Sequence, residues 1–347
     1  MITALQHVGI AVQDPEASFR FFHDMLGFKL RTGDEVFNLD GGGVVISHPN
    51  RFRVVLGMNP RGGAMVELIE NQTSPWQARA VPSSWAAPGI VEIGITTWDL
   101  ETVFRELARR GVFFLTPILR LPWSSASQER FAYIEGPEGL LIRLTDHGTD
   151  APPGTGGIQD VTIHVKEMSR ARAFYERILG FTIVAGEFQG KIQGMEPVAG
   201  PGEFHVVALE HPQHRKPHFS HFPPATIRLV QVTSPPRLSK PIQEDRAETA
   251  REDIHAGILE VALDVIDHRE TEETLRRRGG EWLRPFSEVR RDNVTHFAYM
   301  RDPEGTLVEF VEIEKTRGIP ARWAGLVSHC GLATYQVLRR LRHRRRP

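Results

Sequence analysis

The chain has 347 residues, and its 42 lysines and arginines nearly balance its 43 aspartates and glutamates. This length suits two domains of ordinary size, and the balanced charge gives no overall field that would attract nucleic acid. The single Cys330 excludes an intramolecular disulfide and a cysteine metal site. No uninterrupted run of about 18 apolar residues predicts a membrane span, and the first residues lack a signal-peptide pattern. We therefore expect a cytoplasmic protein without nucleic-acid or membrane partners.

The first repeat in the chain joins its beginning to its middle. An alternating segment, LQHVGIAV at 5–12, is followed by FFHDMLGF at 21–28. Both recur 153 residues later, as IQDVTIHV at 158–165 and FYERILGF at 174–181. The alternation predicts a strand with one buried face. Each copy therefore predicts a strand followed by a helix that ends near LGF.

A second pair of repeats follows the first. IVEIGITT at 90–97 matches ILEVALDV at 258–265, and FAYIEGPEG at 131–139 matches FAYMRDPEG at 297–305. Segments with helical spacing lie between them and end at Gly111 and Gly279, as expected of residues just past a helix C-terminus.

Together the repeats predict four modules, each with the order strand, helix and then several strands. The Pro/Gly-rich stretch between modules 2 and 3 is the clearest linker. The predicted organisation is modules 1 and 2 over 1–147 (1–76 and 88–147), a linker at 148–156, modules 3 and 4 over 157–315 (157–234 and 256–315), and a basic, helical C-terminal extension at 316–347.

This pattern resembles the vicinal oxygen chelate superfamily, which includes glyoxalases, bleomycin resistance proteins and extradiol dioxygenases. The resemblance is carried by the polar residue in each opening strand, the LGF helix ends and the DPEG turn before the last strand. It implies an α+β fold in which βαβββ modules pair into two half-open barrels, each with a concave face that can hold a metal. It also implies a small-molecule substrate, and we expect a monomer or a homodimer.

The family resemblance implies one metal ligand in each opening strand and one in each closing strand. A buried ionisable group on a strand is costly unless it is paired or metal-bound, so these positions are informative. The opening-strand positions are His7, Glu92, Asp160 and Glu260. The closing-strand positions are Glu67, Arg143, Arg228 and Glu309.

The pairing of modules decides which of these eight residues share a cavity and can bind one metal ion. If neighbouring modules pair, each cavity contains an arginine, and Glu92 replaces Glu260 in the site of His7 and Glu67. If modules 1 and 4 pair, His7, Glu67, Glu260 and Glu309 form a set without a cation. The other four then form a set of two acids and two arginines that neutralises itself. We favour this outer pairing because it separates the charges.

The favoured ligand set predicts one divalent ion, which is Mn, Mg, Co, Ni, Zn or Fe. With one histidine and three carboxylates, it is more similar to the glyoxalase and epimerase branch than to Fe(II) dioxygenases, which use two histidines and one carboxylate. We expect a lyase, isomerase or epimerase that acts on adjacent oxygens through an enolate-type intermediate, with Glu67 and Glu309 as the catalytic carboxylates. The alternatives are an extradiol-type or hydroxyphenylpyruvate-type dioxygenase with atypical ligands, and a non-catalytic resistance-type binding protein.

Two further segments have no role in this scheme. Five histidines lie between 205 and 221, and proline-broken spacing favours weak metal binding over a dedicated site. Six arginines crowd the last ten residues, which indicates a solvated basic tail.

Overall fold

The computed structural model describes residues 1–40, 49–77, 83–123, 128–212, 221–233, 255–290 and 294–313. The predicted C-terminal extension at 316–347 and part of the histidine-rich segment, at 213–220, lie outside the described residues. Among the helices in the described ranges, none is both long and apolar enough to cross a membrane.

Each predicted module contains an opening strand, a helix and further strands. Module 1 consists of β1 (Ile2–Ala11), α1 (Pro15–Asp24), β2 (Leu30–Asp40), β3 (Pro49–Met58) and β4 (Met65–Asn71). Module 2 consists of β5 (Gly89–Trp98), α2 (Leu100–Arg109), β6 (Leu119–Pro122), β7 (Gln128–Glu135), a 3-10 turn (Pro137–Gly139) and β8 (Leu141–Asp146). Module 3 consists of β9 (Gly154–His164), α3 (Met168–Arg172), a π-helical continuation (Ala173–Leu179), β10 (Ile183–Gly190), α4 (Glu196–Ala199), β11 (Phe204–Glu210) and β12 (Thr226–Val232). Module 4 consists of β13 (Gly257–Val265), α5 (His268–Arg277), β14 (Trp282–Arg290), β15 (Val294–Arg301) and β16 (Leu307–Ile313).

The longer helices begin at aspartate caps. Asp14 accepts hydrogen bonds from the backbone amides of Glu16 and Ala17 at 2.9 Å, which satisfies donors that the first turn of α1 leaves unpaired. The Asp99 and Asp267 side chains cap α2 and α5 in the same way. These caps fix where each helix starts relative to the strand before it.

The strands form two curled eight-stranded sheets, and each sheet combines two modules. Sheet A has the order β14-β15-β16-β13-β1-β4-β3-β2 and joins modules 1 and 4. Sheet B has the order β10-β11-β12-β9-β5-β8-β7-β6 and joins modules 2 and 3. The α+β architecture of paired modules is therefore confirmed, and so is the outer pairing. In the sequence, the two modules of sheet B lie between the two modules of sheet A.

The register at the centre of sheet A brings distant residues into two adjacent rows. Strand β1 runs antiparallel to β13 and parallel to β4, and β13 runs parallel to β16. His7 lies opposite Ala262, which in turn lies opposite Glu309. Two residues further along, Gly9 lies between Glu67 and Glu260.

The apolar core explains which face of each sheet is polar. Val8 and Ile10 of sheet A belong to the same buried cluster as Ile93 and Val161 of sheet B. Because successive side chains of a strand point to opposite faces, His7 lies on the face turned away from this core. The hydrophobic core between the sheets thus leaves the other face of each sheet for the ionisable residues.

Candidate metal centre

His7 is the centre of the polar group in sheet A. Its Nε2 atom lies 3.2 Å from Glu67 Oε2 and 3.1 Å from Glu309 Oε2. Its Nδ1 atom lies 3.0 Å from Gln6 Oε1, where Nδ1–H donates to the amide oxygen. This contact leaves the Nε2 side of the ring directed between the two carboxylates.

Glu260 completes the group from the adjacent opening strand. Ligand atoms of His7, Glu67 and Glu260 all lie within 4.8 Å of one another. The prediction that His7 and Glu260 share one cavity is therefore confirmed.

Gly9 makes room for Glu260, and sequence reasoning missed this. A β-carbon at Gly9 would lie 2.7 Å from Glu260 Cγ and 2.8 Å from Glu260 Oε1, closer than such contacts occur. A glycine in the middle of an alternating strand is a signal of close approach, and it was available in the sequence.

Among the residues that the structure describes, neighbouring lysines and arginines do not balance the negative charge of the three carboxylates in this group. Burial raises the pKa of Glu260, and the carboxylates of Glu309 and Glu67 raise it further. Burial by itself would lower the pKa of His7, but Glu67 and Glu309 raise that pKa well above its ordinary value. Within the described ranges, no lysine or arginine forms an ion pair with the three carboxylates.

Tyr299 holds Glu309, which is a second contact that sequence reasoning missed. The Tyr299 hydroxyl donates a hydrogen bond of 2.7 Å to Glu309 Oε1 from the neighbouring strand β15. Burial raises the pKa of this hydroxyl, and so do the charges of Glu260 and Glu309. The hydroxyl therefore stays protonated and leaves Oε2 of Glu309 directed at His7.

These residues fit a divalent cation. The buried Nε2 atom of His7 has no hydrogen-bond partner of good geometry among the described residues, although two carboxylates lie within 3.2 Å. One imidazole and several carboxylates are suitable ligands for Mn²⁺, Mg²⁺ or Zn²⁺. A positive ion among them would balance charges that are costly to bury together.

The second predicted group lies in sheet B and neutralises itself. Arg143 Nε lies 2.8 Å from Glu92 Oε1, and Arg143 also pairs with Asp160 through Nη2. Glu92 is fully buried and accepts further hydrogen bonds from Trp85 and Tyr133 at 2.6 Å. Glu92, the alternative ligand for His7, thus belongs to a different sheet.

Glu129 is an additional member of this group. It lies on β7, 2.5 Å from Arg143 Nη1 and 2.9 Å from Arg228 Nη1. Arg228 therefore pairs with Glu129, which lies between the two arginines, and Asp160 pairs with Arg143. Burial opposes ionisation of Glu129, but the guanidinium groups of Arg228 and Arg143 lower its pKa to about 2.

Acid should remove the stabilisation by this network only at low pH, because the Glu129 carboxylate stays ionised until the pH approaches about 2. A pKa of about 2 in the folded chain, against an ordinary 4.5, stabilises the fold above pH 4.5, and this stabilisation is lost as the pH falls toward 2. We expect Glu129→Gln to cost about 2 kcal/mol at pH 7 and less near pH 3, where the contribution of Glu129 is partly lost. Urea denaturation of both proteins at the two pH values measures this, and an unchanged difference would contradict the assignment.

The match to known families decides the identity of the fold. The family described as the Glyoxalase/Bleomycin resistance protein/Dioxygenase superfamily matches residues 4–144 and 157–310. The chain belongs to this superfamily. The two matched stretches correspond to the two halves of a tandem glyoxalase-like protein. No curated protein sequence matches the chain.

Solved structures of glyoxalase-like proteins have the same fold. Glyoxalase I from Zea mays aligns with a TM-score of 0.56 at 15% identity, over 89% of this chain and 92% of that one. A putative dioxygenase from Bacillus subtilis aligns with a TM-score of 0.52 at 13% identity, over 93% of each chain. At such identities the likeness concerns the fold alone.

Proposed function

We propose that the chain is a metal-dependent lyase, isomerase or epimerase that acts on a small molecule with adjacent oxygen atoms. The observation that carries this proposal is the group of His7, Glu67, Glu260 and Glu309 around one buried imidazole nitrogen. Its donors suit a single divalent ion, and its superfamily includes enzymes with this chemistry.

The ligand types favour this chemistry over oxygenation. Non-haem Fe(II) dioxygenases bind iron with two histidines and one carboxylate. The group in sheet A offers one histidine and three carboxylates. Hard oxygen donors in excess favour hard ions such as Mg²⁺ or Mn²⁺.

The protein groups around the ion have different tasks in this proposal. When bound, the metal would act as a Lewis acid on the two substrate oxygens. Glu67 is the most exposed of the three carboxylates, so it is best placed to take a proton from carbon and return it. Glu309 is held by Tyr299, and His7 is oriented by Gln6, so these two residues anchor the ion.

Two measurements on the purified full-length chain test the proposal. Elemental analysis should find that the protein holds about one divalent ion per chain more than the variant in which His7→Gln and Glu309→Gln disable this group. With a panel of α-hydroxycarbonyl compounds in D₂O, we expect metal-dependent incorporation of deuterium at the carbon beside the carbonyl. Oxygen consumption instead would indicate a dioxygenase, and ligand binding without metal would indicate a resistance-type binding protein. Either result would overturn the proposal.

Gly9→Ala should weaken metal binding without unfolding the chain. The new β-carbon would contact Glu260 at 2.7 Å and force its carboxylate away from His7. We expect metal affinity to fall roughly tenfold, the lower end of the effect of disturbing the support of a ligand. Gly156→Ala is the matched control, because its nearest neighbour would be an ordinary 3.4 Å away. Equal affinities of the two variants in a competition assay with a metal indicator would contradict the assigned role of Glu260.

A further inference from the structure

A second cluster of potential ligands lies at the start of α5. His268, the first residue of that helix, has Nδ1 2.5 Å from Glu312 Oε2. The His296 ring stacks on the His268 ring, with centroids 3.9 Å apart and planes inclined by 18°. Ligand atoms of the three residues lie within 4.8 Å of one another, and all three residues are buried. We refer to these three residues as the module 4 histidine cluster.

This cluster is on the opposite face of sheet A from His7. His296 pairs with Glu312 across β15 and β16, whereas Tyr299 pairs with Glu309 three residues away. An odd number of residues along a strand reverses the direction of the side chain. The module 4 histidine cluster therefore lies on the helix-covered face and is separate from the group around His7.

In module 2, the residues equivalent to this cluster hold the start of helix α2 without any histidine. The repeats place Leu100, Arg130 and Asp146 where module 4 has His268, His296 and Glu312. Arg130 forms an ion pair of 2.9 Å with Asp146, whose other oxygen accepts from the Leu100 backbone amide. A carboxylate and an arginine are therefore sufficient to hold the helix start. Module 4 keeps the carboxylate but replaces both other residues by histidine.

The carboxylate of the cluster is fixed before any ligand arrives. Glu312 accepts hydrogen bonds from the backbone amides of Asp267 at 2.9 Å and His268 at 3.2 Å. Burial opposes its ionisation, but the contacts with His268 and these amides lower its pKa below the ordinary value. One carboxylate and two imidazoles are ligand types that zinc prefers, and the hydrogen bonds to Glu312 orient its carboxylate as outer contacts do in metal sites. The two rings would turn out of their stack when both bind one ion.

We propose that His268, His296 and Glu312 form a second metal site, which binds Zn²⁺ and fastens α5 to sheet A. Zinc takes nitrogen and carboxylate ligands at about 2.0 to 2.2 Å in tetrahedral geometry. The two imidazoles and the carboxylate would supply three ligands, and a water molecule would supply the fourth. The ion would replace the direct contact between His268 and Glu312 and join the helix to two strands. Phe286 packs beside the His268 ring at 5.5 Å, and this covered position suits a structural ion better than a catalytic one.

The test uses full-length protein in which the group around His7 has been disabled by His7→Gln and Glu309→Gln. This background variant is dialysed against Zn²⁺ and then against buffer, and bound zinc is measured by mass spectrometry. We expect about one zinc per chain. Adding His268→Leu and His296→Arg, which reproduces the residues of module 2, should abolish it. Folding of the combined variant is checked by circular dichroism, since its new arginine can pair with Glu312 as Arg130 pairs with Asp146.

A second readout does not require the combined variant to fold. In the same background, Zn²⁺ should raise the thermal unfolding midpoint, and His268→Gln alone should remove this increase. Absence of zinc in the folded background variant would overturn the proposal. Zinc that persists after the histidines are replaced would also overturn it, because the ion would then be bound elsewhere, for example by histidines of the 205–221 segment. Neither result depends on whether the group around His7 binds an ion.

Discussion

Replacing Glu309 by glutamine is expected to release the ion of the candidate metal centre and to abolish the proposed activity. An amide oxygen carries no negative charge, and Glu309 Oε2 lies 3.1 Å from the imidazole nitrogen that would share the ion. Losing an outer-shell partner weakens metal affinity by about 10- to 100-fold, so losing a ligand should weaken it by more than about 100-fold.

Elemental analysis and the deuterium-exchange assay measure this effect side by side. Glu70→Gln is a matched control, because Glu70 lies three positions after Glu67 on β4 and faces the other side of the sheet. Tyr299→Phe should give an intermediate loss, since it removes only the hydrogen bond that orients Glu309. If Glu309→Gln keeps its full metal content, the ligand assignment is wrong.

The largest loss of stability is expected from Arg143→Met. The side chain of Arg143 is 1% exposed and pairs with Glu92, Glu129 and Asp160. Removing it leaves the fully buried Glu92 carboxylate without its cation. Breaking a buried ion pair from one side destabilises a protein by roughly 3 to 5 kcal/mol. We expect the lower part of this range, about 3 kcal/mol, because Trp85 and Tyr133 still donate to Glu92.

Two further variants separate this effect from the loss of a large side chain. Arg130→Met, in the same module, removes a partly exposed ion pair with Asp146 and should cost no more than about 1 kcal/mol. In Arg143→Met, the additional change Glu92→Gln should restore part of the lost stability, because the buried charge is gone. Urea denaturation followed by circular dichroism measures all three. Equal losses for Arg143→Met and Arg130→Met would contradict the buried network.

The internal repeats made most of the fold predictable. LGF helix ends and opening strands recur at fixed offsets, so four modules and the family followed from the sequence. The outer pairing was favoured from the sequence, because only that scheme separates His7 and the carboxylates from Arg143 and Arg228, and the strand order confirms it. In that scheme the three carboxylates beside His7 have no protein cation among the described residues, so a bound divalent ion would balance their charge.

Other contacts followed only from the tertiary structure. Tyr299 and Glu129 contact residues that were predicted, yet no motif marks these two. A strand pattern tells which face a side chain occupies, but not which partner it reaches across neighbouring strands. Thus Arg228 pairs with Glu129 instead of Asp160 because β7 brings that carboxylate between the two arginines.

The module 4 histidine cluster illustrates the same limit most clearly. His268, His296 and Glu312 come from a helix start and two strands, with no ligand spacing along the chain. The sequence alone determined the modules, their family and the separation of charges, since these depend on local periodicity and residue type. Only the tertiary structure decided which side chains meet, because register and helix docking bring together residues that are far apart in the chain.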